Sequence, residues 1–303
     1  MKASPGAPAG GSRPLRWSRT LARELVHRSS VAEVLLTDVR RTGRWTFDAA
    51  ASWSPSHPTF PRDGARLHHP LLVVETLREL GIVVPLSYFG VAKTTRFVIT
   101  DMFFRLDPRA EPTAGYGATE VTCRAEVGNP RIRSDGTLTG LRLTVDLLAG
   151  GRAFARAGGG VRFVAADRFA ALRGGRGSVD EQLPGEPGGR PEAALLGVPH
   201  GRDIVIGLED GHAVVHAADR RHPFFFDHAV DHIPGMLLLE AARQAAVVAG
   251  GTAFVRPRAG RLKALRFTEF SPAARIECAP RRSKCGFRIV QGGVTSAYGV
   301  LQY

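Results

Sequence analysis

Two segments of the chain carry the same chemically capable residues at the same spacing. His57-Pro58-Thr59-Phe60 leads to Leu71-Leu72-Val73-Val74-Glu75-Thr76-Leu77-Arg78, and His222-Pro223-Phe224-Phe225 leads to Met236-Leu237-Leu238-Leu239-Glu240-Ala241-Ala242-Arg243. In each, 18 residues separate His from Glu and 3 separate Glu from Arg, and the copies stand 165 residues apart. Both pairs interrupt apolar runs. A carboxylate and a guanidinium in such surroundings need partners, because unpaired buried charge is costly. A spacing of three puts both groups on one helix face. Two chemistries fit Glu240 and Arg243. One is a neutralising ion pair. The other is a general base, its pKa raised by burial and opposed by the cation so that it accepts a proton near neutral pH. Arg243 is also a planar fork suited to a phosphate or a developing oxyanion.

Neighbouring residues widen the candidate set. His57 and His222 recur before Pro and aromatic residues, which suits a shared structural task in the loop; His222 is also a candidate substrate contact. His228 and His232 have no counterparts, since Asp63 and Leu67 stand there, so His228 is a candidate for chemistry in one site only. Gly235 could present its N–H as an oxyanion donor at a helix start, or serve a tight turn. Gln244, which corresponds to Glu79, could fasten the helix by hydrogen bonds or contact a substrate. Glu75 and Arg78 would be scaffold or line the substrate's path. The His and Asp residues between 222 and 232 match no zinc spacing, and no cysteine lies nearby.

The elements that must position these groups follow the same duplicated plan. Val31–Val39 and Trp45–Trp53 read as strands, a turn-rich stretch follows, and a helix over Leu71–Val84 is expected to end at Pro85. Strands are expected at Thr95–Leu106, Glu120–Val127, Thr137–Leu148 and Arg152–Phe163. The second half repeats the order: strands Ile204–Leu208 and His212–Ala217, a helix Met236–Ala249, then strands Arg261–Phe267, Ala274–Cys278, Gly286–Gln291 and Thr295–Gln302. A helix apolar on nearly every side must be covered all round. An antiparallel sheet curled about one helix does this, so the expected class is α+β, a tandem (double) hotdog. The expected divisions are a disordered leader over 1–24, a first repeat over 25–166, a Gly/Pro-rich linker over 167–199 and a second repeat over 200–303.

The chain has 303 residues and a formal net charge of +13, carried almost wholly by arginine. The charge is scattered and lacks aromatic interleaving, so no nucleic-acid partner is expected. An anionic small substrate or an acidic carrier protein suits such a surface. No apolar run is long enough to span a bilayer. Cys123, Cys278 and Cys285 lack CxxC spacing, and a reduced cytoplasmic protein is expected.

The segment from Arg221 through Gln244, with Phe224-Phe225-Phe226, His228, Pro234-Gly235 and Glu240, resembles the signature of the A-factor biosynthesis (AfsA) family. It is similar, more distantly, to hotdog β-hydroxyacyl-carrier-protein dehydratases. His57–Arg78 and Val91–Leu106 resemble that family's N-terminal repeat, so the likeness covers about residues 25–303. The resemblance implies an acyltransferase. It would join a β-ketoacyl group, delivered on acyl carrier protein, to the hydroxyl of dihydroxyacetone phosphate, on the way to a butyrolactone or butenolide signal. It implies catalysis near Glu240, Arg243 and His228, no metal or redox cofactor, and a monomer or homodimer. Rival expectations are a hotdog dehydratase or thioesterase, and a non-catalytic acyl-binding regulator.

Overall fold

The computed structural model describes residues 13–57, 59–60, 66–174 and 185–303. The first half runs β1 (Leu36–Arg41), β2 (Thr46–Trp53), α1 (Leu71–Tyr88), β3 (Arg96–Leu106), β4 (Thr119–Ile132), β5 (Leu138–Ala149) and β6 (Arg152–Val164). Two short helices follow, α2 (Ala166–Arg173) and α3 (Ala193–Leu196). The second half runs β7 (Ile206–Glu209), β8 (His212–Val215), α4 (Gly235–Gly250), β9 (Ala259–Ala264), β10 (Ala274–Arg281), β11 (Lys284–Gln291) and β12 (Val294–Gln302). Strand formation follows the period-two pattern: on β4, Val121, Cys123, Ala125 and Val127 are buried while Glu120, Arg124 and Glu126 face solvent.

All described strands join one antiparallel sheet ordered β1-β2-β4-β5-β6-β3-β9-β12-β11-β10-β8-β7. From either end the order is the same, with β7 to β12 standing for β1 to β6. The seam is β3 against β9, where Met102 faces Leu262 and Asp101 faces Lys263. Joining the halves edge to edge leaves neither of these strands with unpaired backbone groups. α1 packs on β1, β3, β5 and β6, and α4 on β7, β8 and β10. The architecture is the tandem hotdog that the duplicated pattern implied. No helix among the described residues is long and apolar enough to cross a membrane.

The structure departs from the sequence expectations in four places. α1 continues through Pro85 to Tyr88. Pro85 gives up one helical bond, but its neighbours Val83 and Val84 are buried, and the Tyr88 hydroxyl donates to the Val39 carbonyl at 2.8 Å. Val31–Glu33 is a turn of 3₁₀ helix rather than strand, which leaves Glu33 buried. Of the leader, residues 1–12 lie outside the described residues; the rest lies against β1, with the Leu21 N–H donating to Leu36 and Arg13 paired with Asp38. The linker contains α2 and α3, and its residues 175–184 lie outside the described residues.

Candidate active site

The two repeated histidines are staples. His222 Nδ1 accepts the Phe224 and Phe225 amides at 3.3 and 3.4 Å, and its Nε2 lies 3.0 Å from Asp203 Oδ1. His57 Nδ1 accepts the Thr59 and Phe60 amides, and its Nε2 lies 3.3 Å from Glu33. Both rings are buried. With both nitrogens of His222 occupied, its expected contact with substrate is replaced by loop bracing. The acids stand 19 and 24 residues before their histidines, and this unequal spacing hid them from the repeat.

Glu240 and Arg243 are sealed inside the second half, their side chains 3% and 4% exposed. Arg243 Nε bonds both Glu240 oxygens at 3.0 and 2.9 Å, and Nη2 reaches Oε1 at 2.5 Å. Arg243 Nη1 donates to the carbonyls of Leu196 at 2.8 Å and Val255 at 3.0 Å. Every nitrogen of the fork is spent, so Arg243 is not free for a phosphate. Burial pushes the Glu240 carboxyl up, but the Arg243 guanidinium outweighs it and holds it below the usual carboxylate value. The near-neutral base expected here is therefore corrected to an ionised, locked carboxylate. Gln244 also faces inward: its Nε2 donates to Asp203 O and Glu240 Oε1, and its Oε1 accepts the Val205 N–H. It fastens α4 to the strand before it and has no surface for a thioester. Glu79 does the same for α1, accepting the Leu35 and Leu36 amides. The cavity beside Glu240, walled by His69, Phe104, Leu239 and Leu301, holds about 10 Å³. That is at most one water, so an acyl chain enters only if these walls move.

The other copy of the pair is more open and is shared between the halves. Glu75 accepts Arg78 Nε at 2.8 Å and Nη2 at 2.7 Å, and Arg28 Nη2 at 2.8 Å. Burial pushes its carboxyl up, but Arg28 and Arg78 together hold it below the usual range. Arg28 Nη1 continues to the Phe224 carbonyl of the second half at 2.7 Å, and its guanidinium stacks over the Phe224 ring. The Ser29 and Ser30 amides cap Asp227 of the same loop. This stitching holds the loop that carries His228, whose side chain is 55% exposed, with Nδ1 4.0 Å from Asp227. Burial, then the Arg78 charge, lowers the His228 pKa, while Asp227 opposes them. The ring is thus neutral at pH 7. Gly235 opens α4 over β3, where a Cβ would stand 3.2 Å from Met102 and 3.9 Å from Ile99. Its N–H lies in the first turn and has no intrahelical acceptor.

The structure therefore pairs Glu75 with Arg78, whose charge reaches His228, and joins Glu240, Arg243 and Gln244 in a second cluster. Sequence reading missed Arg28 and Asp227, whose partners lie about two hundred residues away. It also missed Arg173 of α2, which is buried and bonded to Asp231 and Glu269. No cluster of His, Cys, Asp and Glu suited to a metal ion occurs among the described residues.

A duplicated sheet with one helix per half, and polar sites formed where a loop of one half meets the helix of the other, defines a double-hotdog protein. A solved acyl-ACP thioesterase from Bacteroides thetaiotaomicron shares this fold, with a TM-score of 0.51 at 14% identity, covering 85% of this chain and 97% of its own. The family model for the A-factor biosynthesis hotdog domain matches residues 12–165 and 198–265, and the chain belongs to that AfsA family. It is 34% identical to the 2-oxo-3-(phosphooxy)propyl 3-oxoalkanoate synthase of Streptomyces virginiae, over 86% of this chain and 87% of that one. The synthase of the same name from Streptomyces griseus is 34% identical, over 82% and 81%.

Proposed function

We propose that this chain is an acyltransferase that joins a 3-oxoacyl group, held as a thioester on acyl carrier protein, to the hydroxyl of dihydroxyacetone phosphate. The product ester leads to a butyrolactone-type signal. The observation that carries this reading is the nearly full-length match to synthases named for that ester. Acyl carrier proteins are acidic, which suits the basic surface of this chain, and the reaction belongs in the cytoplasm, where such carriers work.

The site between the halves supplies the groups the reaction needs. His228 is neutral, accessible and a competent general base. It takes the proton as the acceptor oxygen attacks the thioester carbonyl, and Asp227 supports the imidazolium that forms. The Gly235 N–H, at the positive end of α4, meets the oxyanion. The C–S bond then breaks, and the proton returns from His228 to the leaving thiolate. No covalent acyl-enzyme is needed. Glu240, Arg243 and Gln244 act by positioning, since their ion pair and hydrogen bonds fix α4 and so fix Gly235. Glu75 fixes Arg78 in the same way, and His222 braces the loop that carries His228.

The test is incubation with a 3-oxoacyl carrier thioester, with and without dihydroxyacetone phosphate, followed by mass spectrometry. Formation of the phosphorylated ester supports the reading. Thiol release that ignores the acceptor would mark a thioesterase and overturn it.

A further inference from the structure

Beside His228 lies a concentration of positive charge that the ion pairs leave unspent. Arg78 gives Nε and Nη2 to Glu75 and Nη2 also to the Val26 carbonyl, so its Nη1 has no partner among the described residues. Arg96, the first residue of β3, is exposed and pairs with no carboxylate among the described residues; its guanidinium approaches the Phe169 ring at 6.0 Å. His27 sits between Val26, which Arg78 holds, and Arg28, which holds Glu75 and Phe224. Its backbone is left-handed, with φ of 50°, a strained conformation for histidine that the anchored neighbours enforce. That turn stands the imidazole edge-on against Phe97 at 5.1 Å, next to Arg96. The charges of Arg28, Arg78 and Arg96 all act on His228 against Asp227 alone, and Asp227 and Glu75 already have their partners.

We propose that Arg78, Arg96 and His27 form the subsite for the phosphate monoester of the acceptor, held beside His228 at the junction of the two halves. This rests on the acyltransferase reading above and moves the phosphate away from Arg243. A guanidinium fork with a free nitrogen, a second mobile arginine and an imidazole suit a tetrahedral dianion. Dihydroxyacetone phosphate has three carbons, so a phosphate anchored here leaves its hydroxyl close to the neighbouring His228.

The electrostatics agree. Burial, and then the charges of Arg78, His228 and Arg96, bring the His27 pKa down to about 4. The same burial and the same arginines lower His228. Burial is the larger cause for both rings, and the arginine charges, which a dianion would offset, add to it. At pH 6 the phosphate itself gives up protons on binding as a dianion, so protonation of the rings is read as the difference in proton exchange between the unaltered chain and one lacking the His27 ring.

The phosphate could also come from the phosphopantetheine arm of the donor, and the experiment separates the two sources. Glycerol 3-phosphate is titrated by calorimetry into the full chain, and into Arg96→Gln and His27→Asn variants, in two buffers of different ionisation enthalpy. Asparagine tolerates the left-handed backbone, so His27→Asn removes the ring without adding strain, and thermal unfolding checks that both variants fold. The expected result is less proton release, or more uptake, in the unaltered chain than in His27→Asn, and affinity about tenfold weaker in each variant. The acceptor KM rises in parallel, while the affinity for holo acyl carrier protein, whose arm carries a phosphodiester, stays within about twofold. Unchanged glycerol 3-phosphate affinity in both variants overturns the proposal. So does a loss confined to the holo carrier. If the variants lose glycerol 3-phosphate but the unaltered chain makes no ester, the acyltransferase reading fails and the phosphate subsite stands.

Discussion

Arg28 links Glu75 on the first helix to the Phe224 carbonyl of the second half, at 2.8 and 2.7 Å. One guanidinium thereby neutralises a buried carboxylate and ties down the loop that carries His228. On α4 the last nitrogen of Arg243 goes instead to the Leu196 and Val255 carbonyls, and the first half meets Glu240 through His69, whose charge acts on the carboxyl. Both carboxylates are buried, but Arg78 is 18% exposed and Arg243 only 4%.

Replacing Arg28 by Ala should therefore cost more than a surface arginine would. It leaves Glu75 with one cation instead of two and strands the Phe224 carbonyl. A loss of about 3 kcal/mol is expected from breaking a buried pair, read as a shift in the urea midpoint. Activity should fall even well below the unfolding transition, as the His228 loop loosens. An unchanged midpoint would mean that the bridge contributes no stability.

The Glu240–Arg243 pair separates anchoring from catalysis. Glu240→Gln leaves a guanidinium buried and half-paired, at a cost of about 3 kcal/mol. The double variant Glu240→Leu/Arg243→Met removes both charges and should recover much of that stability. If the pair serves only to position α4, the double variant keeps measurable ester synthesis. Complete inactivity in a well-folded double variant would return Glu240 to the chemistry.

Glu79 gives the fold a pH dependence of unusual sign. Burial, then Glu75, raises its carboxyl from 4.5 to about 8. The folded state thus keeps a proton that the unfolded chain releases between those values, and stability falls as pH rises through that window. The second half already has Gln244 at this place. Glu79→Gln should leave the urea midpoint at pH 5 nearly unchanged and raise stability at pH 8 by at least about 1 kcal/mol. Equal effects at both pH values would contradict a protonated Glu79.

His228 sets the expected rate profile. As a base it must be neutral, and its pKa lies below the usual 6.5. Ester synthesis should rise with pH along an acid limb centred below that value and be level by neutrality. His228→Gln should lower kcat by about 100-fold or more with little change in thermal midpoint, since the side chain is largely exposed. A shifted midpoint with kcat retained would assign the residue to structure.

Arg173 tests the clamp from α2. It bonds Asp231 Oδ2 at 2.8 Å, the Asp231 carbonyl at 2.7 Å and both Glu269 oxygens, and it covers the Phe267 ring. With His232 it brings Asp231 down to about 2, although burial pushes the other way. That stabilisation is present above about pH 4 and is lost as pH falls toward 2. Arg173→Ala should speed amide exchange across residues 227–234, measured by mass spectrometry, and should flatten this acid-side loss. Exchange confined to α2 would show that the loop holds itself.

The sequence by itself determined the duplication, the two apolar helices, nearly every strand, and the family. These are local properties: period-two burial marks a strand, an all-round apolar run marks a core helix, and a repeated spacing marks a repeated fold. Only the tertiary structure decided which copy of the pair is open. Glu75 and Glu240 sit in the same motif and are both buried, yet Arg78 is 18% exposed and Arg243 only 4%, a difference set by groups supplied from elsewhere in the chain. Pro85 shows the same limit at short range. It reads as a stop, but burial around it carries the helix one turn further. Charge type and spacing are written locally, whereas the partner that spends a charge is chosen by the packing of distant segments. For that reason the sequence pointed to Glu240, and the site proposed at Arg78 and His228 rests on partners that only the fold supplies.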